Sequence, residues 1–223
     1  MMSAIHRFNA FVSTATVTLT FTIISFLIPV IQDLGVPLKI SGIAISGLAT
    51  VSVYKIVAGF LLTFIDRVRL VKRFVFGPAY IEGTWVGRFN SGVSGPKWTV
   101  EKIVQSLAGI VINGEATNED GTNYGFWKSK PVSIDAEEGS LTYAYECYMM
   151  DEMTSHQGIG YFQFDRSASW KPPTSLNGFA ADLPNGIRSE NRERKISNAQ
   201  MDTQQAMAKA RQGAGLTPNG PTT

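Results

Sequence analysis

Hydrophobic and polar positions follow one rhythm up to about residue 65 and another beyond it. The 24 residues of 8–31 contain no charged side chain. A helix of that length measures roughly 36 Å, enough to cross a hydrocarbon core of about 30 Å with some tilt. A cleaved leader is the competing reading, with His6 and Arg7 as its charged start. The apolar run is too long for one, and Ile28-Pro29-Val30-Ile31 offers no small-residue cleavage site. A second apolar run, residues 40–65, follows the short stretch QDLGVPLK. Gly35 and Pro37 in that stretch predict a turn, and the two runs therefore predict an antiparallel two-helix transmembrane hairpin.

From Tyr80 to Leu183 the pattern becomes short alternating runs separated by turn residues. YIEGTWVGRF, WTVEKIVQ, GIVINGEAT, TNYGFWKS, PVSID, SLTYAYECYMM, GIGYFQF and NGFAADL all read as strands. Ser94-Gly95-Pro96, Glu119-Asp120-Gly121, Glu138-Gly139 and Pro172-Pro173 punctuate them. Short connections predict an antiparallel meander, and closure of about eight strands into an up-and-down barrel removes the sheet edges. A barrel of that size is filled by side chains or holds one small ligand. In SLTYAYECYMM the more apolar phase is Leu141, Tyr143, Tyr145, Cys147 and Met149, which predicts the inner face. In the first strand Gly83, Trp85, Gly87 and Phe89 share a phase, with Thr84, Val86 and Arg88 opposite. The two glycines are expected to clear space for the Trp85 ring or a ligand. The expected organisation is a hairpin with a basic junction over residues 1–75, a barrel over 76–188, a helix over 189–212 and a disordered tail over 213–223. The helix has two expected uses, packing on the barrel or pairing with another chain.

Charge fixes the orientation. Arg67, Arg69, Lys72 and Arg73 follow the second run, whereas the turn holds Lys39 against Asp33, so both termini and the barrel are expected on the cytoplasmic side. Lys55 interrupts the second run and allows two readings. Either it is a functional ionisable group inside the bilayer, or it marks the interface, with residues 36–54 crossing and 56–73 lying along the surface. Thr14, Thr18, Thr22 and Ser25 share a face of the first helix, and Gly42, Ser46 and Ala49 a face of the second. Such stripes serve contact within the hairpin or between protomers. One cysteine, Cys147, excludes an internal disulfide, and two distant histidines give no spacing for a zinc site.

Catalytic motifs are absent. GIGYFQ lacks the last glycine of a dinucleotide loop, and Ser155-His156 has nothing to orient it. Glu119-Asp120 and Glu137-Glu138 lie at turns and are expected in solvent. No enzymatic activity, cofactor or metal is expected. The strands do combine aromatic faces (Trp85, Trp98, Trp127, Trp170, Tyr143, Tyr145, Tyr161, Phe162) with cations (Arg88, Lys102, Lys128, Arg166). Bases stack on such rings and guanidinium groups pair phosphates, so a nucleotide-sized ligand would use both. The plainer reading is that the rings fill a core and the cations coat an outer face. Trp85, Arg88, Lys128, Tyr143, Tyr145, Tyr161 and Arg166 form the candidate ligand set, and Lys55 the membrane candidate.

Gly83-x-Trp85 in the first strand of a small barrel resembles the Gly-x-Trp signature of lipocalins. The wider layout, a two-helix membrane hairpin, a basic junction and a lipocalin-like barrel, resembles the CD-NTase-associated transmembrane β-barrel effectors of bacterial anti-phage defence (CBASS). The resemblance covers residues 1 to about 188. It implies a multi-pass inner-membrane protein whose barrel binds a cyclic dinucleotide made by a partner nucleotide synthase. It further implies homo-oligomerisation, disruption of the bilayer and cell death, with no DNA or RNA polymer as partner. Two other readings stand beside it: a membrane-tethered carrier of an apolar ligand, and a tethered interaction module that needs no small ligand.

Overall fold

The computed structural model describes residues 4–33, 38–90, 95–150, 153–184, 186 and 188–212. It divides into two compact units, Met1–Phe76 and Gly77–Thr223. The first contains α1 (Ala4–Asp33), α2 (Leu38–Arg67) and the short α3 (Arg69–Phe76). Among the described residues one segment, Phe8–Phe26, is long and apolar enough to cross a membrane. α2 runs through Lys55 without a break, so the chain does not turn at the Tyr54–Lys55 step, and Lys55 is exposed. The expected turn at Gly35 and Pro37 lies outside the described residues, as do the tail 213–223 and Ser94.

The hydroxyl stripe of α1 is not packed within the unit. Thr14, Thr18, Thr22 and Ser25 are exposed, while Val12 and Thr16 on another face are buried. Thr22 and Ser25 donate to the carbonyls of Thr18 and Phe21, each at 2.8 Å, which satisfies the hydroxyls inside their own helix. The side chains of Gly42, Ser46 and Ala49 lie outside those described.

The second unit is a closed antiparallel barrel of eight strands in sequence order: β1 (Gly83–Asn90), β2 (Pro96–Ser106), β3 (Gly109–Thr117), β4 (Asn123–Asp135), β5 (Ser140–Met149), β6 (Thr154–Asp165), β7 (Ser175–Asp182) and β8 (Arg188–Ser197). The number expected is met by a different set of strands. TNYGFWKS and PVSID are one strand, β4, whose pairing with β5 shifts between Ser129 and Val132. Pro131 sits in that irregularity, where its missing N–H removes no ladder bond. The eighth strand comes from residues expected to be helical: β8 spans Arg188–Ser197 and pairs with both β7 and β1. The helix is shorter than expected, α4 at Thr203–Gln212. The barrel therefore extends past residue 188, because two neighbouring edges each offer a ladder that an isolated helix of charged residues cannot match.

Inner and outer faces alternate as β5 requires. Leu141, Tyr143, Tyr145 and Cys147 are buried inside, in a core with Ile81, Trp85, Ile103, Ile112, Phe162 and Leu176. These last six fill one end of the barrel. Gln105 seals it, accepting from Ile81 N–H at 2.9 Å and donating to the Ala79 carbonyl at 2.9 Å. A second cluster lies outside: Val86, Trp98 and Val100 of β1 and β2 are covered by Ala206, Met207 and Ala210 of α4. Asp202 caps that helix, its carboxylate accepting from Gln204 N–H at 2.9 Å. Of the two expected uses of the C-terminal helix, packing on the barrel is the one observed.

Candidate functional site

The barrel interior is shaped by pairs of glycine and aromatic residues across neighbouring strands. Register sets Trp127 against Gly114, Tyr145 against Gly158 and Tyr143 against Gly160. A Cβ on Gly114 would lie 1.9 Å from the Trp127 ring, and one on Gly158 2.2 Å from that of Tyr145. Each ring lies across its glycine and reaches over the barrel. Gly83 and Gly87 do not perform that service for Trp85. A Cβ on Gly87 would strike Asn191 Oδ1 at 2.6 Å and Thr99 Oγ1 at 2.7 Å, and one on Gly83 (φ 138°) would strike the Ser197 carbonyl. Those glycines admit the polar groups of β2 and the close approach of β8 instead.

Below the rings runs a buried polar belt. Glu101 of β2 and Glu193 of β8 are both fully enclosed, at 1% and 0% exposure. Glu101 Oε1 accepts from the Tyr143 hydroxyl at 2.7 Å and from Trp127 Nε1–H at 3.1 Å. Glu193 Oε1 accepts from Asn191 Nδ2–H at 2.8 Å and from the Thr99 hydroxyl at 3.4 Å. The two Oε2 atoms are buried and have no hydrogen-bond partner among the described residues. Burial raises the affinity of both for protons, most strongly at Glu193, where the neighbouring Glu101 charge adds to it. The enclosed pair therefore favours its protonated form. Burial and the Glu101 charge also hold the Tyr143 phenol protonated.

Nearer the loops that follow β1, β3, β5 and β7 the interior becomes wetter. Asp182 Oδ1 accepts from the Tyr145 hydroxyl at 2.6 Å and lies 3.1 Å from His156 Nε2. The Asp182 side chain is 30% exposed and that of His156 18%, so this cluster forms the barrel mouth. Burial, with Asp182 close by, pushes the Cys147 thiol up to about 12. It stays a thiol at neutral pH and is a poor nucleophile. Ser155 and His156 are consecutive on β6 and so point to opposite faces, which separates them chemically.

The candidate set divides between the two faces. Trp85, Tyr143 and Tyr145 are inside. Trp85 is committed to the packed end, its Nε1–H donating to the Ile81 carbonyl at 2.8 Å. None of the four cations singled out points into the barrel. Arg88 lies on the outer phase of β1, stacked 4.6 Å above Trp98 and ion-paired with Glu119. Lys102 pairs with Glu115 at 2.8 Å on the outside. Lys128 is exposed on an outer groove of about 840 Å³ shared with Phe126, Glu146 and Tyr148. Arg166, just beyond β6, donates to the Ala136 and Ser169 carbonyls at 3.0 and 3.1 Å and so ties two connections together. Tyr161 is also outside, 5.9 Å from Phe179. The interior groups missed from the sequence are Thr99, Glu101, His156, Asp182, Asn191 and Glu193. A carboxylate in phase with Ile103 was the available signal for Glu101. No protein-family model matches the chain, and no curated protein matches it.

Proposed function

We propose that the chain is a membrane-tethered receptor and effector of anti-phage signalling, in which the barrel takes up a cyclic dinucleotide and the response is protomer assembly and bilayer disruption. The observation that carries this reading is the union, in one chain, of a helix able to cross a membrane with a closed barrel whose inner wall presents aromatic faces. Two spans with both termini in the cytoplasm follow from the cations Arg67, Arg69, Lys72 and Arg73. The exposed hydroxyl stripe of α1 supplies a surface for contact between protomers. The proposal assigns the chain no catalytic step; a separate nucleotide synthase supplies the ligand.

The interior chemistry refines how such a ligand is read. Asp182 and Asn191 offer acceptors and Tyr145 a ring, which suits the N–H edge and face of a nucleobase. The carboxyl belt repels phosphates, so these belong at the mouth beside Lys97, a buried inner residue of β2. The same belt disfavours an apolar cargo, whose entry would leave polar groups unmet. A tethered interaction module without a ligand is favoured by one observation, the filling of the interior by Trp85, Trp127, Tyr143, Tyr145 and Phe162. Titration calorimetry of the full chain in detergent, across cyclic di- and trinucleotides, separates the readings. Binding that is weakened by Asp182→Asn, with a shift to larger assemblies in light scattering, is the expected result. An absence of heat across the panel overturns the receptor and leaves the module.

A further inference from the structure

On the outer face of the barrel, two arginines from β1 and α4 meet at one indole, and a third from β8 lies opposite the first. Antiparallel register sets Arg88 of β1 directly opposite Arg192 of β8. Like charges at opposed positions, with Cβ atoms about 5 Å apart, oppose sheet pairing. Arg211 of α4 joins them, its guanidinium 5.6 Å from the Trp98 ring that Arg88 covers at 4.6 Å. The opposing charge is a single carboxylate already divided among several donors. Glu119 pairs through Oε1 with Arg88, accepts from Trp98 Nε1–H through Oε2 at 3.0 Å, and accepts from Arg211 through its backbone carbonyl at 2.7 Å. Arg88 Nε is buried without a partner, and exposed Arg192 has no hydrogen bond or ion pair among the described residues. Burial, and then the Arg211 charge, ease the Arg88 proton off relative to an ordinary guanidinium.

Three guanidiniums against one carboxylate leave a formal surplus of two positive charges. A buried donor without an acceptor costs about 1–3 kcal/mol, and the opposed like charges of Arg88 and Arg192 add to that cost. An oxyanion relieves both, since planar forks bind carboxylate and phosphate in a bidentate way. A carboxylate has two oxygens and one charge; a phosphate monoester has three free oxygens and up to two charges, which matches three forks and the surplus. We propose that Arg88, Arg192 and Arg211 form a phosphate-binding site on the outside of the barrel, beside Trp98. Occupancy ties α4 to β1 and β8 through one anion. The site is separate from the barrel interior and stands or falls independently of what binds there.

The test uses the full chain in a neutral detergent at low salt, with three probes: pyrophosphate, dihexanoyl phosphatidic acid and, as a control, dihexanoyl phosphatidylcholine. Calorimetry should show saturable binding of at least one of the first two and none of the control. Arg192→Gln, at an exposed and unpartnered position, should weaken it about tenfold, the loss of one charge-assisted contact. Arg211→Gln should do the same. Glu119→Gln should tighten it by releasing Arg88, which a purely structural role for the cluster would not produce. A response to pyrophosphate alone identifies a soluble phosphate, and one to the phosphatidic acid alone a lipid headgroup. Binding that is indifferent to both arginine variants, or no saturable binding of either phosphate, overturns the proposal.

Discussion

Glu101 and Glu193 place two carboxyl groups where no water reaches, and their energetics run opposite to those of a surface acid. Burial raises the proton affinity of both in the folded state, so folding binds protons that the unfolded chain releases. The stabilisation they give is complete below the ordinary glutamate range, near pH 4.3, and is lost as pH climbs through their raised folded values. The melting temperature of the barrel should therefore fall as pH rises above about 5. Glu193→Gln keeps the shape, supplies an N–H to Glu101 and removes one titration. Thermal unfolding followed by near-ultraviolet circular dichroism should show a flatter pH profile for this variant. It should melt several degrees above the parent at pH 8, given about 2–4 °C per kcal/mol in a domain of this size. Parallel profiles for the two proteins would mean that burial does not raise the proton affinity of the pair.

β5 and β8 mark the two extremes of what pattern reading recovers. In β5 the inner phase is Leu141, Tyr143, Tyr145 and Cys147, apolar enough that alternation identifies the buried face directly. In β8 the inner phase is Ser189, Asn191, Glu193 and Lys195, and the outer phase is mostly arginine, so neither face carries an apolar signal. Composition there favours a helix, and the strand exists because the open edges of β1 and β7 flank it. The same blindness hid the candidate site: phase placed Tyr143 and Tyr145 correctly, yet the carboxyl belt and the Asp182–His156 cluster arise from strands far apart in sequence. The outward direction of Arg88 was legible from its phase opposite Trp85; its convergence with Arg192 and Arg211 needed the register of β8 and the seat of α4. That seat makes its own prediction. Met207 is 2% exposed against Val86, Trp98 and Val100, and its sulfur accepts from the Thr117 hydroxyl at 3.2 Å. Met207→Ala should lower unfolding stability by about 2–4 kcal/mol, seen as a lower denaturant midpoint at constant slope. A loss below about 0.5 kcal/mol, ordinary for a surface position, would show that α4 does not pack on this face in solution.

The two units solve the hydrophobic problem in different ways. The barrel encloses a core of apolar groups and covers the outer apolar face of β1 and β2 with α4. The N-terminal unit leaves Val17 68%, Phe21 73% and Phe26 76% exposed on α1, with Phe60 66% exposed on α2. Large apolar side chains exposed to that extent are unfavourable in water and mark contact with lipid or protein. Phe8–Phe26 is long and apolar enough to cross a bilayer, which makes lipid the occupant to test. A lysine at the centre of a spanning helix costs about 2.5–3.5 kcal/mol on insertion, so Val17→Lys with Phe21→Lys should oppose insertion by about 5–7 kcal/mol. In a membrane fraction washed with alkaline carbonate, the unaltered chain should remain in the pellet and the double variant should move to the supernatant. Near-ultraviolet circular dichroism of the released variant should still report a packed barrel, because Trp85, Trp127, Tyr143 and Tyr145 pack in the core of the second unit. Release of the unaltered chain by carbonate would remove the bilayer from the proposal, and with it the means by which a response in the barrel could disrupt a membrane.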